Sequence, residues 1–459
     1  TVKLMVKGGV LFVTLQEFNS SKGDMSLDKI TSTDMGYIFE ELIRKFSESY
    51  DEQAGAHFTS RDIIYLMTEL LIAPEKEQIA AEGCTKTAYD MAMGTSQMLG
   101  CLTERLQDVS KDATLTCFGQ EFNPETYAIA KADMLIKGGN ASGMKYGDTL
   151  SDDAFGGYEF DYVISNPPFG IDWKREKSQV EAEAKRGYDG RFGPGLPAIS
   201  DGQMLFMLNG IKKLKEGSGR MAIIQNGSSL FTGDAGSGAS EIRRYLIHED
   251  LVEAIVQLPT DLFYNTGIST YIWVLTKGKP MSRSGRVQLI DASKCFVKRR
   301  KNIGSKRVDL DDACIDLILK AYEGFDQNEV YTADDLVVES KVFKNDFFGF
   351  TKVTVETAQT DASGKLLLKK GKKLPVKGAT DSEIIPLSDD IDAYMAKNVL
   401  PYNPLAYIDP AKDKIGYEIP FTRLFYKFEA PEPSASIFED IKALEAKETV
   451  LMKELFGNA

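Results

Sequence analysis

The sequence has few of the residues that build the commonest reactive and metal-binding sites. Only two histidines, His57 and His248, occur among 459 residues, so a Ser-His-Asp mechanism or a histidine-rich metal site is poorly supported. The five cysteines are never spaced as Cys-x-x-Cys, which excludes paired-cysteine metal and redox motifs. We therefore predict buried thiols and no metal.

Long apolar runs are also missing. No stretch approaches the roughly 18 apolar residues of a membrane helix, and residues 1–15 lack the layout of a secretory signal. These absences predict a cytoplasmic protein that does not contact a membrane.

The chain lacks the excess of positive charge expected of an autonomous DNA-binding protein. It carries 55 basic and 68 acidic residues, a net charge of -13, which repels a polyanion overall. Two local basic tracts are candidates for nucleic-acid contact, although such tracts are often only solvated hairpins. The first contains Lys298, Arg299, Arg300, Lys301, Lys306 and Arg307, and the second contains Lys369 and Lys370 among lysines at 365, 372, 373 and 377.

Hydrophobic periodicity predicts strands and helices that alternate along most of the chain. Strands are predicted at 87–90, 115–121, 146–149, 160–165, 220–225, 251–258 and 270–276. Helices are predicted at 35–46, 61–71, 96–106, 124–136, 202–214 and 240–247. This alternation is typical of a mainly parallel sheet that is covered on both faces.

The alternation fades beyond about Gly278. Residues 363–384 are rich in Gly, Lys and Ser, which predicts a mobile excursion. A last helix is predicted at 435–456, with apolar residues spaced as a heptad seam. The seam consists of Ile437, Ile441, Leu444, Leu451 and Leu455, and it either docks on the chain's own core or binds a partner helix.

The most informative segment is Asn166-Pro167-Pro168-Phe169, which directly follows the apolar strand at 160–165. An asparagine before two prolines makes a rigid loop, and ligands of open α/β sheets lie at such strand ends. The loop suits methyl transfer to a planar amine: Asn166 and the Pro167 carbonyl would accept the amine hydrogens, and Phe169 would stack on the ring. The alternative is a proline-rich turn without chemistry.

Three further segments follow predicted strands in an order that suits a nucleotide-like cofactor. Residues 90–95 lie between a strand and a helix, where glycine allows close approach to a ligand. Glu121 ends the next strand, where a carboxylate can accept two ribose hydroxyls. Asp148 ends the third strand, within reach of an adenine amine.

Together these motifs resemble the methylation subunit of a type I restriction-modification system, in the gamma class of N6-adenine DNA methyltransferases. The similarity spans residues 34–456. The matching segments are 55–61, the loop from Asp90, 119–126, 166–170, 225–227, 258–268 and 415–423.

The resemblance implies a Rossmann-like class I methyltransferase that uses S-adenosylmethionine and has a mainly parallel seven-stranded sheet. It implies that helices precede this sheet and that a C-terminal extension with a long helix follows it. The expected parts are an N-terminal helical segment at 1–50, shortened relative to the family, a methyltransferase domain at 51–345 and an extension at 346–459. The implied cofactor-binding residues are Ala56, His57, Phe58, Thr59, Ser60, Arg61, Asp90, Ala92, Gly94, Thr95, Ser96, Gln97, Glu121 and Asp148.

The implied substrate is double-stranded DNA with an adenine rotated out of the duplex, stacked on Phe169 with its amine on Asn166. The implied partners are a specificity subunit and, in the full restriction complex, a motor-nuclease subunit. The chain departs from the family at Met91, Ser96 and Gln97, where proline and two glycines are common. Two alternatives therefore stay open: a methyltransferase of glutamine or RNA amines, and a scaffold subunit that has lost cofactor binding.

Overall fold

The structure is a computed structural model that describes residues 2–24, 29, 59–264, 266–428 and 433–457. The helix predicted at 35–46 lies outside these residues. The chain divides into two compact units, Thr1–Ile419 and Pro420–Ala459. None of the described helices combines the length and the apolar character that crossing a membrane requires.

The first unit contains twelve described α-helices and eighteen strands. The helices are α1 Val2–Lys7, α2 Leu11–Phe18, α3 Arg61–Ile72, α4 Lys76–Ile79, α5 Gln97–Val109, α6 Pro124–Ile136, α7 Lys177–Ala184, α8 Gln203–Lys212, α9 Ser228–Phe231, α10 Gly238–His248, α11 Asp312–Gly324 and α12 Ile391–Asn398. The first nine strands are β1 Thr85–Asp90, β2 Thr114–Glu121, β3 Met144–Tyr146, β4 Tyr162–Ser165, β5 Arg220–Asn226, β6 Val252–Gln257, β7 Thr270–Thr276, β8 Arg286–Lys294 and β9 Val297–Ile303. The others are β10 Lys306–Asp309, β11 Asn328–Ala333, β12 Leu336–Lys344, β13 Gly349–Ala358, β14 Leu368–Lys369, β15 Lys372–Lys373, β16 Pro375–Pro386, β17 Ala406–Ile408 and β18 Lys414–Tyr417.

The central sheet has the strand order β3-β2-β1-β4-β5-β7-β6-β8-β12-β11. The first five strands of this order are parallel, and β7 runs antiparallel between β5 and β6. The predicted mainly parallel α/β sheet is therefore confirmed. Six of the seven predicted strands are present near their predicted positions, whereas the strand predicted at 146–149 lies earlier, as β3 Met144–Tyr146. The predicted strand number of seven is wrong, because β8, β12 and β11 extend the sheet to ten strands.

The three added strands were missed because the sequence pattern weakens after Gly278. In β8, the polar residues Gln288 and Asp291 interrupt the apolar run, although β8 pairs in parallel with β6. Gln288 is buried because its Nε2 donates to the Ala321 carbonyl and to Ser340 Oγ. A buried polar side chain of this kind is satisfied by distant residues, so its strand is not recognised from local periodicity.

Helix α3 shows how the helices cover the sheet. Its residues Ile63, Leu66, Met67 and Leu70 are fully buried in the main core, in the i, i+3, i+4, i+7 spacing of one helix face. Each such side chain contributes roughly 1.5–3 kcal/mol on leaving water. Burial of this face fixes the start of α3 at the sheet, and the residues just before it belong to the candidate site.

The remainder of the first unit contains a smaller antiparallel sheet with the order β16-β13-β17, in which β18 also pairs with β13. Its core joins Val353, Val355 and Ile385 to Met395 and Val399. The segment predicted as a mobile excursion, 363–384, contains the β14–β15 hairpin and most of β16.

The second unit contains α13 Phe421–Phe425 and α14 Ser434–Phe456. The predicted helix at 435–456 corresponds to α14, and its heptad seam is exposed along its length. The exposed seam residues are Ile437, Ile441, Leu444, Leu451 and Leu455.

Candidate active site

The candidate site lies at the carboxyl edge of the parallel strands, where β1 and β4 are neighbours. Asp90 ends β1, and its Oδ1 accepts a hydrogen bond from Ser165 Oγ, at the end of β4, over 2.6 Å. The Ala92 amide donates to the same oxygen at 3.1 Å. This contact joins the loop after β1, predicted to hold a cofactor, to the loop after β4, predicted to be catalytic.

Asp90 is almost completely buried. Burial raises its pKa to about 7, although the hydrogen bonds from Ser165 and Ala92 act in the opposite direction. An ionised Asp90 therefore costs folding free energy at neutral pH, which is a common feature of functional sites.

Replacing Asp90 by asparagine is expected to stabilise the fold above pH 7. The unfolded carboxyl ionises near pH 4, whereas the folded one ionises near pH 7, so wild-type stability falls as pH rises between these values. Asparagine carries no such charge, and the gain should reach on the order of 4 kcal/mol above pH 7 and disappear below pH 4. Urea unfolding at several pH values measures it, with Asp112→Asn at an exposed turn as the control. A gain that does not change with pH would contradict the explanation.

The loop after β1 wraps onto the end of β2 through Glu121. Glu121 Oε2 accepts from the Gly94 amide at 2.9 Å, and Oε1 accepts from the Asn123 amide at 2.7 Å. Burial raises the pKa of this carboxyl. Each oxygen retains a further lone-pair position, so the group can accept two additional donors such as a pair of hydroxyls.

Two residues in this loop have left-handed backbone angles, Gly94 with φ +52° and Ser96 with φ +64°. Glycine adopts this conformation freely, whereas serine pays about 1 kcal/mol. The geometry at position 96 therefore favours the glycine that the family resemblance led us to expect there, and Ser96 is a departure with a structural cost.

Ser96 and Gln97, at the start of α5, are buried polar residues. Neither Ser96 Oγ nor Gln97 Nε2 has a hydrogen-bond partner among the residues that the structure describes. Buried polar atoms are normally paired. Two unpaired atoms beside the half-buried Thr95 are therefore available to polar groups of a ligand.

Asp148 lies beyond the end of β3 and is half-buried. Its Oδ1 accepts from the amides of Leu150 and Ser151, at 2.7 and 2.9 Å. One carboxylate oxygen therefore closes a turn. The structure thus holds this predicted cofactor contact in a fixed position.

The loop after β4 presents a fixed amide. Asn166 is buried, and its Nδ2 donates to Thr59 Oγ1 at 2.9 Å. Its Oδ1 has no hydrogen-bond partner in the described part of the chain. Pro167 is buried, Pro168 and Phe169 are half-buried, and Phe169 packs against the main core. The loop therefore combines a buried, unpaired acceptor with an aromatic ring.

A polar cluster that was not predicted supports this loop from the neighbouring strand. Asp201 Oδ1 accepts from the Gly170 amide at 3.2 Å, and Asp201 Oδ2 accepts from Gln203 and Ser228. Gln203 also donates to Asn226 Oδ1, at the end of β5, over 2.8 Å. Of this cluster, only Asn226 lies in a segment that carried the family resemblance, 225–227. The cluster as a whole could not be found from the sequence, because it joins residues from three separate segments.

The predicted cofactor residues at 56–61 are described only in part. Ala56, His57 and Phe58 lie outside the described residues. Thr59 contacts Asn166, and Arg61 Nη1 donates to Tyr65 Oη at 3.0 Å within the same helix. Ser60 Oγ accepts from Lys306 Nζ at 3.1 Å.

The first basic tract lies on the β9–β10 hairpin. Lys298 and Arg300 are exposed, whereas Arg299 Nη1 lies 2.5 Å from Asp309 Oδ1 in an ion pair. The prediction that Lys306 contacts nucleic acid is wrong, because only 1% of its surface is exposed and its ammonium group forms hydrogen bonds inside the fold. Lys369 and Lys370, from the second tract, are exposed on the β14–β15 hairpin.

A comparison with known protein families shows which family the chain belongs to. The sequence profile described as N-6 DNA Methylase matches residues 31–362, which is more than half of the 459-residue chain. The chain belongs to the N-6 DNA methylase family. The predicted resemblance is therefore confirmed.

Several relatives of this N-6 DNA methylase are named as methylase subunits of type I restriction enzymes. It is 27% identical to the HindI methylase subunit of Haemophilus influenzae over 372 residues, 80% of this chain and 77% of that protein. It is also 27% identical to the MjaIX methylase subunit of Methanocaldococcus jannaschii over 271 residues, 58% of this chain and 46% of that protein. The chain thus spans about half of the latter relative.

A solved structure shows the same relationship. The type I restriction-modification methyltransferase subunit of Streptococcus thermophilus is 26% identical to this N-6 DNA methylase, with a TM-score of 0.57. The match covers 71% of this chain and 63% of that one.

Proposed function

We propose that the chain is the methylation subunit of a type I restriction-modification complex, and that it transfers a methyl group from S-adenosylmethionine to N6 of an adenine in DNA. The observation that carries the proposal is the buried, unpaired Oδ1 of Asn166 at the carboxyl end of β4. Family membership and the names of the relatives support the substrate class.

The residues around the loop after β1 fit S-adenosylmethionine. Glu121 has lone pairs left for the ribose hydroxyls, and the half-buried Asp148 is available for the adenine. The unpaired Ser96 Oγ and Gln97 Nε2 would meet the polar methionine end, above Asp90. The cofactor-deficient scaffold is therefore the less favoured alternative, since the departures from the family leave polar atoms that a ligand would satisfy.

Asn166 and its loop would act on the target amine. The lone pair of an adenine amine is delocalised into the ring, so acceptors on both N–H groups are needed to localise it. Asn166 Oδ1 would accept one N–H and the Pro167 carbonyl the other, while Phe169 holds the ring. The chemistry supplied by bound S-adenosylmethionine is a methyl group that bonds to N6, with the electron pair of the broken S–C bond kept by sulfur and the surplus N6 proton released to water.

DNA contact is proposed for the exposed basic residues. Lys298 and Arg300 on β9 and Lys369 and Lys370 on the β14–β15 hairpin are free of the ion pair that engages Arg299. They would bind phosphates around a flipped adenine. Because the net charge is -13, we propose that most affinity and all sequence recognition come from a specificity subunit, with a motor-nuclease subunit added for cleavage. A genomic substrate also agrees with the predicted cytoplasmic location.

The helix α14 is the proposed contact with the specificity subunit. Its five seam residues are exposed and repeat with the spacing of a coiled-coil interface. Burying a Leu or Ile side chain stabilises an interface by roughly 1.5–3 kcal/mol. Such a seam therefore suits a partner helix.

Truncation before Pro433 is expected to abolish co-purification with the specificity subunit and to leave the fold of the first unit intact. A full-length Ile441→Glu/Leu451→Glu variant should have the same effect, because charges replace buried apolar groups at the seam. The control is Lys453→Glu, which lies on the other side of the helix. Affinity purification from the co-expressed operon measures complex formation, and a truncated chain that still forms the complex would reject this interface.

The proposed activity is tested by purifying the chain with the products of its own operon and mapping methylated bases in host and substrate DNA. N6-methyladenine at one recurring DNA sequence is the expected product. Methylated glutamine or RNA in place of DNA would instead support the other amine methyltransferases. Calorimetry with S-adenosylmethionine distinguishes the methyltransferase from the scaffold alternative, because a scaffold is expected to show no binding at millimolar ligand.

A further inference from the structure

Thr59 bonds to Asn166 across 107 residues of sequence, Nδ2 to Oγ1 at 2.9 Å. We propose that Thr59 is a positioning residue that holds the Asn166 amide with its oxygen facing the target amine. This role rests on the proposed function, and it differs from the cofactor contact that the family resemblance implied for Thr59.

An asparagine side chain has an acceptor end and a donor end, and only the acceptor end is useful to an amine with N–H groups. In the structure, Asn166 turns its donor end to Thr59 and leaves Oδ1 unpaired within the described ranges. The reverse orientation would bring the Asn166 N–H groups against those of the substrate. With the Thr59 hydroxyl as acceptor, the bond holds the amide in place and directs Oδ1 away from Thr59.

Because both residues are buried, the loss of this bond is costly. Asn166 and Thr59 are each 7% exposed, so water does not readily replace a lost partner. A buried amide N–H without an acceptor is costly. If the Thr59 hydroxyl is removed, the amide is expected to rotate until its N–H groups meet another acceptor, and Oδ1 then leaves its position.

A buried lysine holds the residues that follow Thr59. Lys306 Nζ donates to Ser60 Oγ at 3.1 Å, to Asp62 Oδ2 at 2.9 Å and to the Leu262 carbonyl at 3.0 Å. These contacts tie the residues that follow Thr59 to the loop after β6. The segment carrying the hydroxyl is therefore anchored from two sides, by Lys306 and by the buried face of α3.

The test is Thr59→Val, which removes the hydroxyl at constant size, in the complex purified with its operon partners. We expect kcat for methyl transfer to fall about 10- to 100-fold, as for loss of one buried hydrogen bond, while the calorimetric Kd for S-adenosylmethionine changes less than about twofold. Thr59→Ser, which retains the hydroxyl, should recover most of kcat. The matched control is Thr68→Val, because Thr68 is fully buried on α3 and its Oγ1 has no partner among the described residues.

Two results would overturn the proposal. One is a Thr59→Val complex with wild-type kcat. The other is a large rise in the Kd for S-adenosylmethionine with kcat unchanged at saturation, which would make Thr59 a cofactor contact. A wild-type complex that methylates nothing would instead refute the proposed function. In that case, a double-mutant cycle of Thr59→Val with Asn166→Ala, measured by thermal unfolding, still tests the interaction of Thr59 with Asn166. Additive effects would show that the two side chains do not interact.

Discussion

The Asn166→Ala variant is expected to bind S-adenosylmethionine as tightly as the wild type and to transfer methyl groups about 1000-fold more slowly. The cofactor segments, the loop after β1 and Glu121, contact each other through the Gly94 amide and do not include the Asn166 side chain. Loss of that side chain removes the acceptor for the target amine. The expected effect is therefore on kcat alone.

The measurement is single-turnover methyl transfer by the complex, with calorimetry on the same preparation. Asn328→Ala is the matched control, because Asn328 is exposed on β11 at the far edge of the sheet from β4. Substantial methyl transfer by the Asn166→Ala complex would refute the mechanism. A parallel loss of cofactor affinity would show that Asn166 also lines the cofactor site.

The Glu253→Ala variant is expected to lose about 3–5 kcal/mol of folding free energy. Glu253 is fully buried on β6, and its Oε2 accepts from Arg220 Nη2 at 2.7 Å. Its Oε1 lies 3.2 Å from Arg283 Nη1. Alanine would leave Arg220, only 3% exposed, with an uncompensated positive charge in the core.

The pH dependence identifies the cause. Burial would raise the pKa of Glu253, but the charges of Arg220 and Arg283 hold it below its usual value. A carboxyl with a lowered folded pKa contributes stability above its unfolded pKa and loses it as pH falls through the folded one. The difference between wild type and variant should persist at neutral pH and narrow only in acid.

Urea unfolding measures this loss. The control is Glu216→Ala, since Glu216 pairs with Lys277 but its side chain is 77% exposed, and surface pairs contribute about 0–1 kcal/mol. A loss below about 1 kcal/mol for Glu253→Ala would show that the core compensates the buried arginine in another way.

The parallel half of the sheet was predictable because its strands are short and apolar and each is followed by a helix. The strand β4 is buried at every position, so its sequence is uniformly apolar up to Ser165. The helix α6 was equally clear, since Asn123 caps it with hydrogen bonds to the amides of Glu125 and Thr126. Local patterns of this kind are decided by neighbours in sequence.

Contacts between distant residues were not predictable. Lys306 belongs to a basic run in the sequence, yet Asp62 and Ser60, more than 240 positions away, make it a buried residue. The strands β8 and β12 contain the buried polar residues Gln288 and Ser340, which hydrogen-bond each other although they lie 52 positions apart. For these residues, composition indicates the opposite of their true environment.

The sequence by itself determined the α/β class, the order of the motifs and the identity of the loop at Asn166, because strand periodicity and proline restriction act over a few residues. Only the tertiary structure decided which distant residues hold that loop in place. The Asp90–Ser165 bond joins the two loops, and the Thr59–Asn166 bond leaves the amide oxygen of Asn166 unpaired among the described residues. The first depends on the pairing of β1 with β4, and the second on the packing of α3 against the main core, because the bonded residues lie 75 and 107 positions apart in sequence.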